Sequence, residues 1–331
     1  MPRTRLHRLA ALTVAATLIA GLTACTGSSS SDDDSTTTLR LGQLGQSKII
    51  EALLEASGED QDMDYTVEWS LFDAGPALLE AVPSGSIDGG MMADTPPIFG
   101  QVSDSATKIV AVAQSVASDT SQVEIVVPGD SDIESVADLA GKKVAMLQST
   151  IMQYTLVKAL ENAGLDYEDI TPVNLSPVDA ATALAGGDVD AAAMLDPQRA
   201  TALAAGDRVI GNGAGLVADY TVTVATDAAL EDSAKSAALE DFIGRVQAAY
   251  DWAAANQDTW AAAYATVTGL SEDIASAVVE RQDYNLVPID DSVIANQQDQ
   301  ADTYYDLGLL TEKLDVSAEF DDRFNSVAEA Q

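Results

Sequence analysis

The sequence predicts an α/β protein made of two similar lobes with a cleft between them. Three observations carry that expectation. Short apolar strands and amphipathic helices alternate through most of the chain. One strand–turn–helix unit with its following elements is written twice, at a constant offset of 102 residues. Two strand-like segments, near 122–128 and 219–226, bracket the second copy as crossings between lobes. The order β-α-β with short links implies parallel strands and right-handed crossovers.

The elements follow in chain order. Arg3, Arg5, His7 and Arg8 form a basic region, and Leu9 to Leu22 is an apolar stretch too short to span a bilayer comfortably. Residues 1–24 therefore read as a signal peptide. It ends in "LTAC", Leu22 to Cys25, which resembles the lipobox of bacterial lipoproteins, whose cysteine becomes lipid-modified and N-terminal. The stretch "TGSSSSDDDSTTT" that follows is polar and low in complexity, so residues 25–38 read as a lipidated cysteine on a flexible tether. Next, "LRLGQLGQSKIIEALLEAS" (39–57) is strand, glycine turn and helix, with Ile49, Ile50, Leu53 and Leu54 on one face. "YTVEWSLF" is a strand by alternation, and "AGPALLEAV" begins a helix with Pro76 in its first turn. "IDGGMMA" is a short strand that runs into Asp94-Thr95-Pro96-Pro97, where the prolines suit a helix start, and "KIVAVAQSV" is a buried strand.

The same order returns in "KKVAMLQSTIMQYTLVKALENAG" (142–164), in "SPVDAATALAGG", and in "GDVDAAAMLDPQ". Gln148-Ser149 stands where Gln46-Ser47 stood, and Gly85, Ile87, Asp88, Met92 and Asp94 match Gly187, Val189, Asp190, Met194 and Asp196, all at that offset of 102. From about Thr226 the chain is mostly helical. There Tyr250, Trp252, Trp260 and Tyr264 recur near helical spacing and read as core rather than as a stacking platform. The expected domains are lobe I, 39–121 with 226–331, and lobe II, 122–225, hinged at the two crossings.

Composition excludes several functions. With the signal removed, His7 is gone and Cys25 is the single cysteine, so histidine-dependent triads, zinc sites of His or Cys, and Cys–His nucleophiles are all excluded. The chain is not expected to be an enzyme, and no metal or other cofactor is implied. Three of the 16 Lys and Arg lie in the signal, leaving 13 against 53 Asp and Glu, a formal charge near −40. Nucleic acid would be repelled, because phosphate binding needs clustered cations.

If the lobes face each other, the helix starts after Gln46, Asp94, Gln148 and Asp196 converge. Each offers N–H groups without partners and a partial positive charge, which makes an anion site without basic residues. Thr95, Ser149 and Thr150 add hydroxyls. Asp94 and Asp196 read equally as N-caps or as ligand contacts, since a bare carboxylate repels an anion. Tyr220, on a crossing, packs the hinge or lines the pocket. Arg281 reads as one half of a surface or structural pair rather than as an anion clamp. With no histidine in the mature chain, anion affinity is expected to stay flat between about pH 6 and 8.

Several segments carry a family resemblance: "FDAGPALLEAVPSGSIDGGMMADTPPIF" (72–99), "SVADLAGKKVA" (135–145), "LDPQ" (195–198), "GAGLVADY" (213–220) and "VPIDDSVIANQQDQADTYYDLGLL" (287–310). Together they resemble the aliphatic-sulfonate and taurine-binding lipoproteins of bacterial ABC importers, over nearly the whole mature chain. The resemblance implies a two-lobed periplasmic-binding-protein type II fold, each lobe a mixed, mainly parallel sheet flanked by helices. It also implies a monomer, anchored by its lipid to the extracytoplasmic face of the cell membrane. Such a protein captures a small anionic organosulfonate and delivers it to an ABC permease and its ATPase. Another small anion (nitrate, bicarbonate, a sulfate ester) or a pyrimidine-type precursor is the alternative ligand on the same fold. Carried over position by position, the family's cleft falls on Gln46, Ser47, Asp94, Thr95, Gln148, Ser149, Thr150, Asp196 and Tyr220. The chain departs from the pattern at Ala93, Leu195 and Gln198, where relatives carry glycine, tryptophan and an aromatic residue.

Overall fold

A computed structural model describes residues 36–45, 48–103, 105–116 and 121–330. The signal, Cys25, most of the tether, and Gln46 and Ser47 lie outside the described residues. Thr36–Gln331 is one compact unit.

Strand β1 (Thr37–Leu44) sinks Leu39 and Leu41 into the core and pairs in parallel, from Thr37↔Tyr65 to Leu44↔Phe72, with β2 (Tyr65–Phe72). Helix α1 (Ile49–Ser57) crosses between them, burying Ile50, Leu53 and Leu54, and stops at Gly58, whose φ of 82° suits a residue without a Cβ. Helix α2 (Gly75–Ala81) starts with Pro76 in its first turn and leads to β3 (Gly89–Ala93), which lies parallel to β1. Helix α3 (Thr95–Val102) carries Pro96 and Pro97 in its first turn, where a missing N–H costs nothing. Strand β4 (Thr107–Ser115) closes this run.

The next strand, β5 (Glu124–Val127), belongs to a second sheet. There β6 (Lys143–Met146), α4 (Ile151–Asn162), β7 (Thr171–Asn174), α5 (Pro177–Gly186), β8 (Ala191–Met194) and α6 (Gln198–Ala204) repeat the order of the first unit. Strands β6, β7 and β8 are parallel, β5 runs antiparallel to β8, and β9 (Arg208–Asn212) runs antiparallel to β5. Asp88 and Asp190, matched in the repeat, do the same work in both copies. Each carboxylate accepts a backbone N–H of a neighbouring strand, from Arg40 at 3.0 Å and from Lys143 at 2.7 Å.

The chain then returns to the first sheet as β10 (Tyr220–Thr226), antiparallel to both β3 and β4. The segments that change sheets are tied to each other. Asp219 accepts from the Gln122 N–H at 3.0 Å, and the Gln122 amide donates to the Asp219 carbonyl at 2.9 Å. Helices α7 (Asp227–Glu231), α8 (Ser233–Ala255), α9 (Gln257–Thr268) and α10 (Glu272–Val279) follow, then β11 (Tyr284–Val287) on the edge beside β4. Phe242, Tyr250, Trp260 and Tyr264 are buried in one core with Leu39, Leu41 and Leu53; of the four aromatics expected there from helical spacing, Trp252 is only partly buried against it. The six-stranded order is β11-β4-β10-β3-β1-β2 and the five-stranded order is β7-β6-β8-β5-β9.

Helix α11 (Asp291–Asp306) is capped by Asp290, which accepts from the N–H groups of Ser292 and Val293. Its start packs Val293 with Leu78 and Val222 on the side of the six-stranded sheet. Its end packs Ala301 and Tyr304 with Val144, Ile151 and Leu156 on the side of the five-stranded sheet. Helix α12 (Asn325–Glu329) is last. Among the described residues no helix is long and apolar enough to cross a membrane.

Candidate functional site

At the carboxyl ends of β1, β3 and β8 lies a cavity of about 250 Å³. Open α/β sheets place ligands at this edge, because loops and helix N-termini gather there. Its walls are mostly apolar: Leu44 from β1, Ile49 and Ile50 from the first turn of α1, Met91 and Met92 from β3, and Leu195 after β8. Among the described residues no side chain caps the start of α1 at Lys48. Of the described residues lining the cavity, one is a cation, Arg281, and one is an acid, Asp196.

Those two residues belong to a ring of four alternating charges. Arg199 reaches Asp196 at 2.9 Å and Glu124 at 3.1 Å. Arg281 reaches the same two acids, Glu124 at 3.1 Å and Asp196 at 3.2 Å, and donates to the Ser121 carbonyl. All four side chains are largely buried, so the alternation is a requirement: any one of them alone would be a desolvated, uncompensated charge. Asp196 also accepts the Ala200 N–H of the first turn of α6 at 3.1 Å, so capping and ion pairing fall on one carboxylate.

A second polar cluster gathers around the start of α3. The Thr95 hydroxyl donates to Gln300 Oε1 at 2.8 Å, Gln300 Nε2 donates to Asp94 Oδ2 at 2.6 Å, and Gln297 donates to the Asp94 carbonyl at 2.7 Å. Among the described residues Asp94 Oδ1 is buried without a hydrogen-bond partner. Burial pushes the Asp94 carboxyl up to about 7 against the bond from Gln300, and the nearby charge of Asp219 adds to the rise. Burial likewise lifts Asp219 to about 6, against its hydrogen bonds from Ser121 and the Gln122 N–H.

The residues expected from sequence are thus divided. Asp196 lines the cavity, and Leu44 and Ile49, on either side of Gln46-Ser47 in the sequence, line it too. Asp94, Thr95, Gln148, Ser149, Thr150 and Tyr220 are outside its lining. Thr150 stands at the start of α4, where its hydroxyl donates to the Leu147 carbonyl at 2.6 Å and its carbonyl accepts from the Tyr304 hydroxyl at 3.0 Å. Ser149, at a φ of 59°, gives its N–H to Gln153, and the Gln148 N–H goes to Asn174. Tyr220 is buried beside Leu78 and Val222.

Sequence reasoning missed Glu124, Arg199, Gln297 and Gln300, and it read Arg281 as a pair only. One signal was available: Glu124 interrupts the apolar run "VEIVV", and an acid in a buried strand demands a cation.

Comparison with known proteins now adds to this geometry. The model of the NMT1/THI5-like family matches residues 74–260, more than half of the chain. The chain belongs to the NMT1/THI5-like family. A relative from Escherichia coli (strain K12) with an aliphatic sulfonates-binding name is 32% identical over 301 residues, 90% of this chain and 93% of its own. The crystal structure of the periplasmic aliphatic sulphonate binding protein SsuA from Escherichia coli aligns with a TM-score of 0.76 at 32% identity, covering 87% of this chain and 92% of that one. The alkanesulfonate-binding protein SsuA from Xanthomonas axonopodis pv. citri, bound to MOPS, aligns with a TM-score of 0.79 at 28% identity, covering 86% and 98%. The architecture of this family member is the two-lobed periplasmic-binding-protein fold, two helix-flanked sheets with the cavity at their carboxyl edges.

Proposed function

We propose that this protein is the extracytoplasmic solute-binding component of an ABC importer, and that it captures an organosulfonate. The observation that carries the reading is the cavity itself. Apolar walls suit an alkyl chain, while the first turn of α1, uncapped by any described side chain, suits an anion. The relatives' sulfonate-binding names support the same class of ligand.

On this reading the protein is a monomer that meets a permease and its ATPase, and it has no nucleic-acid partner. Cys25 carries a lipid that holds it at the membrane. The lobes, 39–121 with 226–331 and 122–225, hinge near 122–128 and 219–226, and closure traps the ligand. Gln46, Ser47 and Asp196 border the ligand, Asp94, Thr95, Gln148, Ser149 and Thr150 shape the helix starts around it, and Tyr220 packs the crossing strand β10. Capture without turnover is the whole activity, in keeping with a mature chain that has no histidine and whose one cysteine is Cys25.

A thermal-shift panel tests this: taurine, linear alkanesulfonates, sulfate, nitrate, bicarbonate and a pyrimidine, each against the purified protein. A ligand at 100 times its Kd stabilises by about 2.7 kcal/mol, which a melting curve resolves. Alkanesulfonates should raise Tm and emerge chemically unchanged. A rise with nitrate, bicarbonate or the pyrimidine alone, or consumption of the ligand, refutes the proposal.

A further inference from the structure

The charge ring is divided unevenly between the lobes. Glu124 on β5, Asp196 after β8 and Arg199 on α6 all belong to the side of the five-stranded sheet and sum to one negative charge. Arg281, between α10 and β11 on the other side, supplies the missing cation. Its guanidinium sits among three oxygens: Nη1 on Glu124 Oε1 at 3.1 Å, Nε near Asp196 Oδ2 at 3.2 Å, and Nη2 on the Ser121 carbonyl. Arg281, Asp196 and Ser121 line the cavity. The wall of the cleft therefore holds a cation position, and the protein's own side chain fills it.

Three convergent oxygens, two of them from carboxylates, also match the three N–H donors of a primary ammonium. We infer that Arg281 occupies the place a ligand ammonium would take, and so sets the cleft's preference for plain alkanesulfonates over aminoalkanesulfonates such as taurine. The inference rests on the sulfonate reading above. With Arg281 in place the ring is neutral and its acceptors are engaged, so an ammonium entering the cleft meets a guanidinium rather than a free carboxylate. Without Arg281 the ring keeps one negative charge, which repels a plain sulfonate and draws the cationic end of a zwitterion.

Ethanesulfonate and taurine share a two-carbon chain and differ in the ammonium, so their affinity ratio isolates the effect. Calorimetry on the full mature protein should find ethanesulfonate bound more tightly than taurine. In Arg281→Ala the ratio should move toward taurine by on the order of tenfold or more, the scale of one charge-assisted hydrogen bond. Glu124→Gln keeps Arg281 and removes a negative charge, so it should move the ratio toward ethanesulfonate. A parent that prefers taurine overturns the inference, as does an unmoved ratio in Arg281→Ala with both ligands still bound. If Arg281→Ala does not fold, Glu124→Gln decides, and no shift or the opposite shift overturns it. A parent that binds neither sulfonate fails the sulfonate reading itself and takes this inference with it. Binding of both ligands with both variants unmoved fails this inference alone.

Discussion

At pH 8 the Asp94 carboxylate is a buried charge, and among the described residues no cation pairs with it. Its side-chain partner is the neutral Gln300 amide, and among the described residues its Oδ1 has no hydrogen-bond partner. Burial raises its folded-state value from 3.8 to about 7. Between those two values the folded protein holds a proton that the unfolded chain has lost, so stability falls as pH rises through that window. The favourable term is fully present below about pH 4 and gone above about pH 7. A gap of about three units corresponds to roughly 4 kcal/mol, and local relaxation brings the expected loss to about 2–4 kcal/mol. Asp94→Asn keeps an oxygen for Gln300 and cannot ionise. Its amide puts a donor where Oδ1 had no partner, at a cost of about 1–3 kcal/mol that is the same at every pH. Glu319, lifted by burial to about 7, contributes a slope of the same sign in both proteins and cancels in the difference, whereas Asp219, coupled to Asp94 by charge, adds to the difference with the same sign. Urea denaturation of parent and variant at pH 4, 6 and 8 measures that difference. It should shift in favour of Asn by about 2–4 kcal/mol from pH 4 to pH 8. A difference that stays constant across pH refutes the reasoning.

Three other outcomes are expected. Cys25→Ser should release the protein from the membrane fraction, and a variant that still sediments with membranes counts against the lipid anchor. Gly90→Ala should destabilise by about 1–3 kcal/mol or more, because a Cβ there would stand 2.6 Å from the Gly42 carbonyl oxygen and 2.7 Å from Leu78 Cδ1; an unchanged urea midpoint contradicts that packing. Thr95→Val leaves Gln300 Oε1 unpaired and should lower the stability of the empty protein by about 1–3 kcal/mol. A loss seen only in sulfonate affinity would instead assign the Thr95 hydroxyl to the ligand.

What was legible in the sequence was local. Alternation, a proline in a first turn and a glycine at a helix end act over a few residues, so β1, α1, β3 and the start of α3 could be read from contiguous stretches. The repeat added a longer-range signal, because Asp88 and Asp190 recur with the residues around them. The charge ring had no such signature. Glu124 and Arg199 are 75 residues apart and Glu124 and Arg281 are 157 apart, so only the fold brings them together. Thr95 shows the same limit from the other side. Its place at a helix start was readable, but its hydroxyl goes to Gln300, 205 residues away. Residue type alone also hides titration near neutral pH: burial, with the charge of Asp219, lifts Asp94 to about 7, and burial lifts Asp219 to about 6.

The two polar clusters differ in what holds them, and that bears on where a cleft could open. Around α3 and α4, helix α11 fastens both sides. Gln300 holds Thr95 and Asp94, Tyr304 holds the Thr150 carbonyl, and Asp299 accepts from Tyr154 at 2.8 Å and pairs with Lys158 at 3.3 Å. The Tyr304 ring also packs edge-on against Phe99 at 4.9 Å, adding apolar contact to the hydrogen bonds. Across the cavity, by contrast, the charge ring joins the two sheets through Arg281 alone. Separating that side transfers one guanidinium and one carboxylate pair toward water, which solvates them well. Separating the α11 side would expose either the buried Gln297 and Gln300 amides with Thr95, or the buried Tyr304 ring with the apolar contacts to α4, according to which face of α11 parts. The less costly opening therefore runs through Arg281, so the residue inferred to set the preference among sulfonates also stands where a ligand would enter.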